Sequence, residues 1–291
     1  MTGENVNPTT SDLLRVEDLS VEFRTANGVA RVVDSVDFSV PRGGALGIVG
    51  ESGSGKSMTS LAIMGLLPKG GAATGSIAFD GKDLLTQRES AMRRIRGDRI
   101  AMIFQDPLSS LNPYYTVGVQ IAEAYRSHRS GVSARAAKKV AIEAMERVHI
   151  HEAARRADHY PHQFSGGMRQ RIMIAMALSM EPDLIIADEP TTALDVTVQA
   201  QILALLAEIR RETGAGLILI THDLAVVSEV ADRIVVMRGG RLVEKGTVED
   251  VFSDPQHEYT RRLLDAVPRI DDEIGELRTT AVPVLPAKEK R

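Results

Sequence analysis

Residues 50–57, GESGSGKS, hold no apolar side chain, yet they directly follow the apolar run ALGIVG. They match G-x-x-x-x-G-K-[ST] at Gly50, Gly55, Lys56 and Ser57, between a stretch that reads as a buried strand and one that reads as a helix. Glycines let successive backbone N–H groups turn toward one anion without Cβ clashes, and a helix starting near Lys56 points its positive end at the same place. A glycine-rich surface loop would not need that strand–loop–helix setting. Gly50, Glu51, Ser52, Gly53, Ser54, Gly55, Lys56, Ser57 and Met58 are therefore assigned to nucleotide phosphates. Lys56 supplies a point charge at the terminal phosphates, and the Ser57 hydroxyl can ligate Mg2+.

Two more stretches narrow the chemistry. LIIADEP (184–190) is an apolar strand ending in two carboxylates. Asp188 can hold Mg2+ through water, and Glu189, one residue on, is offset toward an attacking water as general base. FSGGMRQRIMIAMAL (164–178) opens a helix with Ser165, Gly166 and Gly167, whose early N–H groups have no partner within the helix and stay open to an external anion. Ser165 would cap that helix whatever else it did, and the motif alone does not separate the two roles. Beside a phosphate-binding loop, a second phosphate-seeking helix start points to a site shared between two subunits.

These residues need a scaffold, and the pattern of the chain supplies one. LLRVEDLSVEF and ARVVDSVDFSV alternate apolar and polar, as half-buried antiparallel strands joined by a turn at TANGVA do. ALGIVG, PDLIIADEP and GLILITHD are apolar throughout, as parallel strands covered on both faces are, and ALDVTVQAQILALLAEIRRETG between the last two reads as the helix of a parallel βαβ unit. A hairpin turns at Asp80–Gly81, and another closes the core at Gly239–Gly240. From about 106 to 180 the pattern is helical. Ala137, Val140, Ala141, Ala144, Met145 and Val148 share one face of a helix that Ser133 can cap. The reading is a single α/β domain over 13–268, with an N-terminal antiparallel β layer and an inserted helical subdomain. Residues 1–12 read as a disordered N-terminus and 269–291 as a flexible tail.

Composition sets limits. The 291 residues carry 35 basic against 39 acidic side chains, a net charge of −4, so no basic excess draws the chain onto nucleic acid or anionic lipid. The one basic cluster, MRRIRGDR (92–99), reads as a solvated face. Zero cysteines exclude disulfides, thiolate metal sites and thiol catalysis. No window reaches the ~18 apolar residues of a membrane span. Service to a membrane would run through a partner.

Taken in order, these motifs resemble the ATP-binding cassette (ABC) family over roughly residues 13–268: the P-loop GESGSGKS, a glutamine in IFQDP, the signature FSGGM, LIIADEP, ALD and the histidine in THD. The resemblance implies ATP with Mg2+ and a head-to-tail dimer in which ATP on one P-loop is covered by Ser165–Gly167 of the other subunit. It implies that Gln105 senses the metal and the γ-phosphate and can ligate Mg2+, that His222 contacts the γ-phosphate and orients the water, and that Asp195 links the two sites. Phe23 stands where the family places an adenine-stacking aromatic, although Leu19, Val21 and Phe23 also alternate like an ordinary core-facing set. The signature departs from the family's commoner residues at Phe164 and Met168, neither of which touches the Ser–Gly–Gly group.

QDPLSSLNPYYTVGVQI, YPHQFSGGMRQR and HEYTRRLLDAVP resemble the peptide/nickel importer branch. The implied role is ATP hydrolysis powering uptake of di- or oligopeptides, with nickel or another small solute as the alternative and a soluble non-transport ATPase as a remoter one. A regulatory subunit that hydrolyses poorly is disfavoured by Glu189 and His222. The implied partners are two membrane permease subunits, a second ATPase subunit (identical or paralogous) and, indirectly, an extracytoplasmic solute-binding protein, with no nucleic acid. The implied location is peripheral, on the cytoplasmic face of a bacterial or archaeal plasma membrane. Many relatives hold an iron–sulfur cluster in a cysteine-rich C-terminal segment. With no cysteine, none is expected here.

Overall fold

Two sheets with different strand patterning position the site in the computed structural model, which describes residues 12–265 apart from Asn27 and Ala193. The strand expected from residue 13 begins at Asp12, and the expected N-terminal and C-terminal tails otherwise lie outside the described residues. The chain opens with a long hairpin, β1 (Asp12–Thr25) and β2 (Gly28–Pro41), followed by β3 (Ala45–Val49) and α1 (Lys56–Ile63). Then come β4 (Gly71–Phe79), β5 (Lys82–Asp83), α2 (Glu89–Ile95) and β6 (Ile100–Ile103). A helical stretch follows: α3 (Pro107–Ser110), α4 (Val117–His128), α5 (Ala134–Arg147), α6 (Ala153–Arg156), a 3-10 turn (Pro161–Gln163) and α7 (Gly166–Leu178). The chain returns through β7 (Leu184–Asp188), α8 (Val196–Thr213), β8 (Gly216–Thr221), α9 (Leu224–Val230), β9 (Arg233–Arg238), β10 (Arg241–Thr247), α10 (Val248–Ser253) and α11 (Glu258–Asp265).

The antiparallel sheet runs β2-β1-β4-β5, and the second runs β10-β9-β3-β8-β7-β6, parallel except for β10. Every residue of β3, β7 and β8 is buried, which is why these segments read as unbroken apolar runs. Their alternation is still visible in what each side chain meets. Leu46, Ile48, Ile186 and Ile218 join a core shared with the antiparallel sheet and α1, whereas Val49, Ile185, Ala187 and Leu219 join α7, α8 and α9 on the other face. β6 was not foreseen, because four residues between a basic run and the helical stretch give no usable periodicity. In the helical stretch Ala137, Ala141, Ala144, Met145 and Val148 are buried, and Ser133 caps α5 by accepting from Ala136 N–H at 3.2 Å.

The basic run 92–99 is not simply a solvated face. Arg96 donates to the carbonyls of Met64 and Gly65 (2.6 and 3.1 Å), just past the C-terminal end of α1. Arg99 lies over the Phe79 ring (5.0 Å) and bridges Asp80 (2.9 Å) to Asp183 (2.7 Å), tying the antiparallel sheet to the entrance of β7. The Arg99 hydrogen bond, with Arg42 nearby, holds the Asp80 carboxyl below the usual range. With about a third of the arginine side chain exposed, Arg99→Lys should lose the two-sided fork while keeping the charge, at a cost of about 1 kcal/mol in urea denaturation. An unchanged midpoint would return Arg99 to the solvated surface.

Candidate active site

A cavity of about 690 Å3 opens above the C-terminal ends of the parallel strands, lined by Glu51 to Met58, Gln105, Glu189, His222 and Val32. Its floor is the loop between β3 and α1. Gly55, the residue before α1, has φ 100°, and a Cβ there would stand 2.7 Å from the Val32 carbonyl oxygen, so a side chain is excluded by both conformation and space. Val32 reaches the loop because the hairpin register slips between Val21↔Val33 and Glu22↔Arg31, leaving Val32 as the extra residue of a bulge. From the far side, Gly240 N–H donates to the Ser54 carbonyl at 3.1 Å.

Lys56 is buried, and its ammonium donates to the carbonyls of Gly50 (2.5 Å) and Glu51 (2.9 Å). Burial lowers its pKa, and the negative charges of Glu189, Asp188 and Glu51 oppose that shift. Asp188, the last residue of β7, is buried as well. Its Oδ1 accepts from the Ser57 hydroxyl at 3.0 Å, and burial pushes its carboxyl above the usual range against that hydrogen bond. A hydroxyl and a carboxylate at this distance are hard oxygen donors of the kind Mg2+ takes, together with phosphates and water. Among the described residues no group of three or more His, Asp or Glu could hold a metal ion.

Glu189 adopts a left-handed backbone, φ 47°, which costs a side-chain-bearing residue about 1–2 kcal/mol. Its N–H is held by the Ile220 carbonyl (2.8 Å), so the strain is enforced by the end of β8. The carboxylate Oε2 accepts from Gln105 Nε2 (3.1 Å) and from the Thr192 hydroxyl (2.8 Å), and His222 Nδ1 lies 3.6 Å away. Such a carboxylate is oriented on three sides and can accept a proton from a water in the cavity. Thr192 was missed by sequence reasoning, although its place three residues after Glu189 in a tight turn was a usable signal. Val32 had none, because its role depends on the bulge.

The cavity thus gathers the P-loop, Gln105, Glu189 and His222, with Asp188 attached through Ser57. It does not gather the rest. Phe23 is half-buried on β1, opposite Gly71, where a Cβ would come within 2.8 Å of its ring. It packs on the antiparallel-sheet core and does not line the cavity. Ser165, Gly166, Gly167 and Asp195 are at the starts of α7 and α8, also away from it. Ser165 accepts from Met168 N–H at 3.4 Å, and Asp195 from Val198 N–H at 2.9 Å, so each caps its helix. Gly167 has a packing reason too, since a Cβ would stand 2.4 Å from Val198. Ser165 and Gly166 are nevertheless exposed, and so is Val196, the first residue of α8, an apolar side chain 83% exposed.

Comparison with known proteins bears on all of this. Residues 33–192 match the family model described as ABC transporter, and 243–289 match the model described as oligopeptide/dipeptide transporter, C-terminal region. The chain is 53% identical over 261 residues to the dipeptide transport ATP-binding protein DppD of Bacillus subtilis, covering 89% of this chain and 78% of that protein. It is 50% identical over 276 residues to the oligopeptide transport ATP-binding protein OppD of the same organism, covering 94% and 76%. Among solved structures it resembles the dimeric post-hydrolysis state of the ATP-binding cassette MJ0796 bound to ADP and Pi, with TM-score 0.71, 27% identity and coverage of 81% and 98%. It also resembles cbiO1 from Clostridium perfringens, with TM-score 0.70, 29% identity and coverage of 84% and 91%.

The capping role of Ser165 can be measured without any ligand. Ser165→Ala should cost about 1 kcal/mol of stability in chemical denaturation, and Ser165→Asp should recover most of it, because a carboxylate caps a helix and favours its N-terminus. Equal stability of Ser165→Ala and the unmodified chain would mean that the cap is not made in solution.

Proposed function

The chain belongs to the ABC transporter ATP-binding family, and on that premise we propose that it is the ATP-hydrolysing subunit of a peptide importer. The observation that carries the reading is the single cavity in which the P-loop, Gln105, Glu189 and His222 meet. Di- or oligopeptides are favoured as cargo because residues 243–289 match the oligopeptide/dipeptide C-terminal region and the relatives are named for peptide transport. The family and its peptide-transport relatives favour a subunit that works peripherally, on the cytoplasmic face of a bacterial or archaeal plasma membrane, against two permease subunits. No helix among the described residues is long and apolar enough to cross a membrane. An extracytoplasmic binding protein would deliver the peptide. The ABC domain is taken as 13–268, with a helical subdomain at about 106–180.

ATP lies with its phosphates on the loop 50–58. Lys56 leaves the two loop carbonyls for the terminal phosphates, exchanging neutral acceptors for charged ones. Ser57, Gln105 and, through water, Asp188 are the residues that would hold Mg2+, which when bound would supply charge neutralisation at the phosphates. Glu189, kept in line by Thr192 and Gln105, accepts the proton of the attacking water, and His222 orients that water and contacts the γ-phosphate. Phe23 stacks on adenine from the hairpin beside Val32. The exposed start of α7 at Ser165–Gly167 covers the γ-phosphate held by a second ATPase subunit, and Asp195 with Val196 lies along that junction. A dimeric cassette among the similar structures supports this reading.

Glu189→Gln keeps the hydrogen bonds but removes the proton acceptor. Its ATPase rate should fall by about 10²- to 10⁴-fold while ATP binding holds. ATP, and not ADP, should then trap a dimer with an identical or paralogous chain, visible by size-exclusion chromatography. A further Ser165→Asp change, which spares the cap, should abolish that dimer by setting a carboxylate against the partner's phosphate. Turnover near the unmodified rate in Glu189→Gln would remove Glu189 from the role of base.

Phe23→Ala tests the adenine contact separately. Loss of stacking should weaken ATP binding by about 1–3 kcal/mol with little change in melting temperature. A large stability loss at unchanged affinity would make Phe23 a core residue only.

A further inference from the structure

A buried hydroxyl from the far end of the chain reaches the phosphate loop. Tyr259 on α11 is 3% exposed, and its Oη accepts a hydrogen bond from the Glu51 N–H at 3.0 Å, across 208 residues of sequence. The ring is held by the Arg238 guanidinium, 4.9 Å from its centroid, at the end of β9. The start of α11 is held in turn by Glu244 on β10, whose carboxylate accepts from the N–H groups of Gln256 (2.7 Å) and His257 (3.1 Å), while His257 Nδ1 accepts from Tyr259 N–H at 3.1 Å. Apart from Glu51 itself, none of these residues lies in the segment matching the ABC transporter model. From Glu244 onward, they lie in the segment matching the oligopeptide/dipeptide C-terminal region.

We propose that Tyr259 is a positioning residue for nucleotide binding, through which the C-terminal segment holds the phosphate loop in its binding shape. Glu51 is gripped from both sides: its C=O by Lys56 and its N–H by Tyr259. When Lys56 turns to a phosphate, its grip on Glu51 is lost; the Glu51 carbonyl keeps the Ser54 N–H (3.2 Å) within the loop, and Tyr259 is the contact that still ties the residue to the C-terminal segment. Without it the loop would enter the ligand-free state with more freedom, and binding would have to order it. Burial raises the Tyr259 pKa further above neutrality, where a tyrosine hydroxyl is protonated in any case.

The proposal rests on the reading that this loop binds ATP, and Tyr259→Phe in the full chain tests it, since only the hydroxyl is removed. Affinity for Mg2+–ATP should fall about three- to tenfold, the range one neutral hydrogen bond spans. KM for ATP should rise by the same factor while kcat stays within about twofold, and amide exchange should quicken at residues 50–53. A lower melting temperature with unchanged affinity and KM would reduce Tyr259 to a structural strut and overturn the proposal. Lys56→Met separates the two levels. If it abolishes ATP binding while Tyr259→Phe binds like the unmodified chain, the proposal fails and the ATP reading stands. If the unmodified chain does not bind ATP, both fail.

Discussion

A buried ammonium sets the terms for this structure. Removing the Lys56 charge from water is costly, and the fold offsets that cost with two loop carbonyls at 2.5 and 2.9 Å and with the charges of Asp188 and Glu189 nearby. Each compensating group demands an address. The carbonyls require the loop to curl back over its own lysine, which Gly55 permits at φ 100°. The carboxylates require β7 to end beside α1, which the order β3-β8-β7 provides by running the strands parallel with their C-terminal ends together. A cation held by neutral carbonyls is also poised to change partners, since a phosphate offers it a charged acceptor.

Strain and orientation meet at Glu189. Its left-handed backbone is held open by the Ile220 carbonyl, and its carboxylate is fixed by Thr192 and Gln105 before any substrate arrives. Gln105 follows β6 and His222 follows β8, so three strand ends meet around one oxygen. A movement of the segment around Gln105, which leads into the helical stretch, would be felt directly at this carboxylate. That is a short physical route between the part of the molecule outside the sheet and the cavity.

Other residues of the motif set face away from the cavity. Ser165 and Asp195 cap their helices and Gly167 makes room for Val198, so each has a sufficient reason to be present in one chain alone. Local roles do not explain why Ser165 and Gly166 are exposed, nor why Val196 at the start of α8 is left 83% in solvent. The junction with a second ATPase subunit, identical or paralogous, that we propose would account for that exposure and for the separation of these residues from the cavity.

Much of this was legible in the residues themselves. The P-loop pattern, the carboxylate pair and the apolar parallel strands are local, so composition and spacing determined them: a five-residue strand buried on both faces can hardly be written otherwise than ALGIV or LIIAD. The Ser133 cap and the α5 face were equally local. What tertiary structure alone decided depends on neighbours distant in sequence. The bulge that brings Val32 to the loop arises from the pairing of two strands, and the Phe23 ring is set over Gly71 by strand register. Arg99, which reads as one charge in a basic run, becomes a bridge between sheets because Asp80 and Asp183 arrive from either side. The hydroxyl of Tyr259 finds Glu51 across 208 residues, a meeting no periodicity encodes because it is made by the packing of α11 on the loop between β3 and α1.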